Sequence, residues 1–140
     1  MVKKIALASL FFVFFSCSST KQPIISAVKY DVLFGSDYGG ASFQFYEIIS
    51  ENDEFNILLT DDMIKPYVKK EDIETCNFIL VNMGEKNKEG YTLKVQKVEE
   101  LSDKIIVTLK EIEPRGNAAQ VTTKPCYVIK IKSKKSIEIK

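Results

Sequence analysis

From residue 28 onward the chain alternates apolar and polar positions over short stretches separated by turn residues. Val28, Tyr30, Val32 and Phe34 alternate with Lys29 and Asp31, the period of a half-buried strand. Gly35 to Gly40 is turn chemistry, and residues 43–49 form a second strand. Phe43 and Phe45 mark one face of it and Tyr46 and Ile48 the other, which predicts a place inside a sheet. Ser50 with Asp53 three positions on reads as a capping box opening a helix. Phe55, Leu58 and Leu59 then give that helix a narrow apolar stripe, and Pro66 prevents a long continuation. Residues 65–75 are charged and read as surface loop or a weak helical turn.

From Asn77 the pattern is strand after strand. Residues 78–83 are an apolar run. Tyr91, Leu93 and Val95 alternate with Thr92, Lys94 and Gln96, and Val98 breaks the period as a bulge would. Leu101-Ser102-Asp103 turns the chain. Ile105, Val107 and Leu109 alternate inward, and Pro114-Arg115-Gly116-Asn117 closes that strand. Tyr127, Ile129 and Ile131 form another strand. Ile137 and Ile139 end the chain as an edge strand guarded by lysines. The fold class is α+β, predominantly an antiparallel β sheet or sandwich with one short helix. Phe45, Leu58, Val81, Leu93, Val107 and Ile129 are expected to be buried on one side of a single sheet.

The first residues do not fit this pattern. Lys3 and Lys4 precede the apolar run 5–15, and at 11 residues it is too short to cross a bilayer core, which takes roughly 20. A positive start, a short apolar stretch and a small residue before the break describe a signal peptide. Phe14-Phe15-Ser16-Cys17 resembles the bacterial lipoprotein box, which implies acylation at Cys17. Residues 1–16 are therefore expected to be a lipoprotein signal peptide, 17–23 a lipidated polar tether, and 24–140 one domain. Loss of Lys3 and Lys4 with the leader leaves 18 basic against 19 acidic residues, a nearly neutral surface with no pull toward nucleic acid. The expected place is the cell envelope, lipid-anchored to the outer membrane and facing the periplasm, since no acidic cluster follows Cys17.

Composition narrows the chemistry. The 140 residues contain no histidine, which removes Ser-His-Asp and Cys-His nucleophilic pairs and the His-Glu-x-x-His zinc helix. Adjacent acids such as Asp61-Asp62 and Glu99-Glu100 lack the contrasting environments that acid–base catalysis needs. No metal spacing and no cofactor motif is present, so the reading is of a protein that is not an enzyme, with no metal and no cofactor. Beyond Cys17, Cys76 and Cys126 remain as either a disulfide in an oxidising compartment or two small buried thiols.

The loop Gly84-Glu85-Lys86-Asn87-Lys88-Glu89-Gly90-Tyr91 joins two apolar strands with a glycine at each end. Glycine there lets the backbone take positive φ and project a polar loop clear of the sheet, and Tyr91 returns the chain to the core. Val81-Asn82-Met83-Gly84-Glu85-Lys86 followed by Gly90-Tyr91 resembles the C-terminal domain of the PrcB family. Lys88-Glu89 stand where that family has Thr-Gly. Ile106-Val107-Thr108, Glu113-Pro114 and Thr123-Lys124-Pro125-Cys126-Tyr127 resemble its later strands. Residues 33–40 and the helix after Ser50 fit its upstream part, so the resemblance covers most of 28–131. It implies a lipid-anchored, non-enzymatic accessory protein that binds or helps assemble a protease complex. Its partners would be the membrane, through the lipid, and an envelope protein such as a protease or its precursor. Gly84, Glu85, Lys86, Asn87, Gly90 and Tyr91 are then the candidate interaction loop. Asn87, Gly90 and Tyr91 also resemble the Asn, Gly and aromatic of chagasin-like protease inhibitors, which makes inhibition the alternative function.

Overall fold

The computed structural model describes residues 23, 24 and 26–140. The expected signal peptide (1–16), Cys17 and residues 18–22 of the expected tether lie outside the described residues. The elements in chain order are β1 (Ser26–Ala27), β2 (Tyr30–Ser36), β3 (Gln44–Ile49), α1 (Asn52–Thr60), a 3-10 turn (Lys65–Tyr67) and α2 (Asp72–Thr75). There follow β4 (Asn77–Met83), β5 (Thr92–Glu100), β6 (Lys104–Ile112), β7 (Cys126–Ile131) and β8 (Ser136–Ile139). They form two four-stranded sheets, β1-β5-β6-β8 and β2-β7-β4-β3. Every pairing is antiparallel except that of β6 with β8. The class is α+β, mostly antiparallel sandwich, as the periodicity predicts.

Side chains alternate across a strand, so the central strands β4 and β7 serve two cores at once. Phe78 and Val128 point to a helical layer and pack with Ile49, Phe55, Leu58, Ile64, Val68 and Ile73. Ile79, Val81, Met83, Ile129 and Ile131 point the other way and meet Ile105 and Val107 of the second sheet. The layers are therefore helices, sheet, sheet. An apolar run such as 78–83 is what a strand covered on both faces requires.

This arrangement corrects four expectations. The predicted core does not lie on one side of one sheet: Leu58 belongs to the helical core, Val81, Val107 and Ile129 to the inter-sheet core, and Leu93 packs at the latter's margin. Phe45 is only half-buried and rests against Phe43, with ring centroids 5.2 Å apart. The strand read as internal, β3, is an edge, because β7 comes between β2 and β4 and leaves β3 with one neighbour. Residues 65–75 form helical turns, as one of the two readings has it, but they are not only surface: Val68 and Ile73 are buried and, with Ile64, hold the helical layer to the sheet. Finally, α1 starts after Glu51, with no side-chain cap bond, so the Ser50 capping box does not form. The Glu54 carboxylate instead accepts weakly from the Ser50 N–H, at 3.5 Å. The apolar stripe survives this shift, since Phe55 and Leu58 are buried and Leu59 half-buried.

Other local readings stand. The strand β5 bulges between Val95 and Lys97, close to the break in period at Val98. The turn at 101–103 is closed by the Leu101 N–H donating to the Lys104 carbonyl at 2.8 Å. The terminal strand β8 is an edge, with Lys104 and Glu138 paired across it at 2.5 Å.

Both described cysteines are buried and free, so the disulfide alternative is corrected. In the register of β4 with β7, Cys126 faces Asn82, whereas Cys76 precedes Asn77, which faces Ile131. The two thiols thus sit near opposite ends of the sheet, about 20 Å apart at the rise of a strand and far beyond disulfide reach. Alkylation of the unreduced, denatured chain should modify both residues; protection of both until a reductant is added would contradict this placement.

The helical layer is also tied by charge. Lys130 of β7 reaches Asp72 of α2 at 2.6 Å, and the Lys69 N–H donates to the same carboxylate at 3.0 Å. Burial alone would raise the Asp72 pKa, but these partners outweigh it and hold the group below its ordinary value. A depressed folded-state pKa stabilises the fold above the unfolded value and is lost as pH falls through the folded one. Asp72→Asn should therefore cost about 1–3 kcal/mol at pH 7 and flatten the loss of stability below about pH 4. Equal acid sensitivity of both proteins in urea titrations would refute it.

Candidate functional site at the distal loops

The strands run lengthwise between two ends. The segment Ser26–Ala27, just after the expected tether, pairs with Glu99 and Glu100, at the finish of β5. The Ser26 hydroxyl donates to the Glu100 carboxylate, which Lys135 also pairs at 2.8 Å; these bonds lower the Glu100 pKa. Loops 37–43, 84–91 and 113–125 all lie at the other end, where β2, β4 and β6 finish and β3, β5 and β7 begin. The nine residues of β5 separate the two ends by about 30 Å.

The three distal loops are bonded to one another through the backbone. Lys86 and Thr123 exchange two hydrogen bonds, at 2.9 and 3.0 Å. The Glu85 N–H donates to the Ser42 carbonyl at 3.1 Å and the Glu89 N–H to that of Ala119 at 3.1 Å. Gly40 donates to the Lys124 carbonyl at 3.0 Å, and Lys124 to that of Asp37 at 2.9 Å. The buried Asn82 side chain accepts from the Ala41 N–H at 2.5 Å, and the buried Thr123 hydroxyl donates to the Lys88 carbonyl at 3.2 Å. These eight hydrogen bonds satisfy groups that would otherwise need water and tie the loops to one another and to the end of β4, so the end is a rigid platform.

Within it, loop 84–90 partly departs from expectation. Gly84 and Gly90 do have positive φ, 75° and 92°. A Cβ at Gly84 would stand 3.0 Å from the Gln44 nitrogen, so the site also needs glycine for space. The loop, however, does not stand clear of the sheet. Lys86 pairs with Glu111 at 2.7 Å and Lys88 with Glu113 at 2.6 Å. Both ammonium groups also lie over the Tyr91 ring, 5.1 and 5.9 Å from its centroid. Pairing raises the Lys88 pKa and lowers that of Glu113. Lys86 and Tyr91 are thus structural supports, and the loop offers Glu85, Asn87 and Glu89 to solvent.

Sequence reasoning missed the rest of the platform. Tyr38 is 55% exposed, Phe43 68% and Val121 43%, so three apolar side chains stand beside the acidic tips of the loop. Next to them, under Gly39, an apolar cleft of about 140 Å³ opens between α1 and the sheet, lined by Phe34, Leu58, Ile64, Leu80, Asn82 and Cys126. That volume accepts one large apolar side chain. The Cys126 thiol at its floor is pushed up in pKa by burial and by Asp61, and its Sγ lies 3.8 Å from the Tyr38 carbonyl. It is therefore a neutral thiol and a poor nucleophile. Nothing in the local pattern marks Tyr38 or Val121, since their exposure depends on contacts between segments far apart in the chain.

Among the described residues, no three of Cys, Asp and Glu come together as a metal site, and no helix is long and apolar enough to cross a membrane. Residues 77–132 match the family model described as PrcB C-terminal. The matched segment runs from β4 through β7 and so includes two of the three distal loops. No curated protein and no solved structure gives a significant match.

Proposed function

The chain carries a PrcB C-terminal domain, and from that premise we propose that it is a lipid-anchored, non-enzymatic accessory protein of the cell envelope that binds a protease or its precursor with the distal platform. Cys17 carries the lipid, residues 17–23 form the tether, and the domain faces the periplasm from the outer membrane. The observation that carries this reading is the interlocking of the three loops at the end opposite the tether. A surface already held rigid loses little conformational entropy on docking. Its distance from Ser26 turns it away from the membrane that would hold the lipid.

The test is capture of cross-linked envelope proteins by the full chain. Replacing the exposed Glu85, Asn87 and Glu89 together by alanine leaves both lysine pairs and the backbone bonds in place. Capture of the partner should fall about tenfold, equivalent to about 1.4 kcal/mol, with the unfolding midpoint unchanged. Undiminished capture would move the binding surface elsewhere. Inhibition of a papain-like protease by the wild-type chain would favour the chagasin-like alternative. The anchor has its own readout: a palmitate analogue should label the wild type and not Cys17→Ser.

A further inference from the structure

Four strands form the sheet edges, and three of them are blunted. The edge strand β1 has two residues, β2 is irregular between Val32 and Phe34, and β8 has four residues flanked by lysines. The fourth, β3, is six residues long, lies in unbroken register with β4, and contains no lysine, proline or bulge. Among the described residues nothing pairs with its outer side. Tyr46 on one of its faces is 43% exposed, and Phe43 just before it is 68% exposed. A long, flat, aromatic edge of this kind is a template for another strand.

Charge states what kind of strand. Residues 30–64 hold eight acids and no lysine or arginine, in a chain whose 20 basic and 19 acidic residues nearly balance. Asp31 and Asp62 are paired, with Lys132 and Lys65. Asp37, Glu47, Glu51, Asp53, Glu54 and Asp61 form no ion pair among the described residues. Just past the end of β3, the Lys134 ammonium is engaged by the Ser50 carbonyl at 2.6 Å. We propose that the outer edge of β3 binds an extended, lysine- or arginine-containing segment of a partner protein as an added strand, its cations meeting Glu47 and the acids at the start of α1. The same acids oppose a second copy of this chain at that edge, because self-pairing would bring Glu47 and its neighbours together. This surface lies outside the segment 77–132, and it stands whether or not loop 84–90 binds anything.

The probe is a fluorescent eight-residue peptide alternating lysine and valine, titrated into the full chain in neutral detergent. It should bind and slow amide exchange at residues 44–49. A peptide with glutamate in place of lysine, and one N-methylated at alternate amides, should each bind about tenfold more weakly or worse. Glu47→Lys should lose binding to the same degree. The peptide arms keep the test decisive if that variant fails to fold. Equal binding of the N-methylated peptide would overturn strand addition, and equal binding of the glutamate peptide would overturn the charge preference. A dimer whose residues 44–49 are already protected without peptide would assign the edge to a second copy and overturn the proposal.

Discussion

Truncating Phe78 to alanine is expected to lower the unfolding free energy by about 3–5 kcal/mol. Phe78 is fully buried in the central strand β4 and stacks on Phe55 of α1, with ring centroids 4.7 Å apart and an angle of 26° between the planes. It is therefore the joint between helix and sheet. Removing the ring forfeits its transfer free energy and leaves a cavity that a strand bonded on both sides, to β3 and β7, cannot close. The expected loss is a large share of the 5–15 kcal/mol that holds a domain together, and the melting temperature should fall by about 10–20 °C. A variant within about 1 kcal/mol of wild type in urea titrations would mean that the helical layer does not rest on this contact.

Gly40→Ala is expected to cost about 2–4 kcal/mol and to loosen the distal platform before the cores. A Cβ at this position would lie 2.6 Å from the Asn82 side-chain oxygen and 2.6 Å from the Lys124 carbonyl. Neither atom can retreat cheaply. The Asn82 oxygen accepts from Ala41, and the Lys124 carbonyl accepts from Gly40 itself, so moving either one breaks a bond between loops. Amide exchange should quicken first at Lys86, Thr123 and Lys124, while Ile79 and Ile129 in the core stay protected. If partner capture depends on the platform, it should fall in this variant even where the cores remain intact. Wild-type exchange at Lys86 and Thr123 would show that the loops are not coupled through Gly40.

Much of this architecture was legible from the period of apolar positions alone. The strands at 30–36, 77–83, 92–100, 104–112 and 126–131 follow it, since a half-buried strand needs alternation and a fully covered one an unbroken apolar run. The glycines at 84 and 90 were legible for the same local reason: only glycine takes their φ without strain. The edge placement of β3 was not. Apolar residues on both faces suit an internal strand, and only the insertion of β7 between β2 and β4, which joins segments nearly 50 residues apart, puts β3 outermost. The burial within residues 65–75 was not legible, because single apolar residues such as Val68 and Ile73 leave no period over so short a stretch, although each fills a place in the helical core.

The candidate site divides along the same line. By itself the sequence determined that loop 84–90 is polar, bounded by glycines and part of a PrcB-like pattern, because those properties depend on backbone preference and residue order. Only the tertiary structure decided that Lys86 and Lys88 are bound to Glu111 and Glu113, and that Tyr38, Phe43 and Val121 stand exposed around the loop. It alone set the platform at the end opposite Ser26 and left β3, with Glu47, as an edge with no strand on its outer side among the described residues. These are relations between positions distant in the chain. They arise when two sheets and a helical layer bury their apolar faces against one another, and which polar groups then meet is a consequence of that packing.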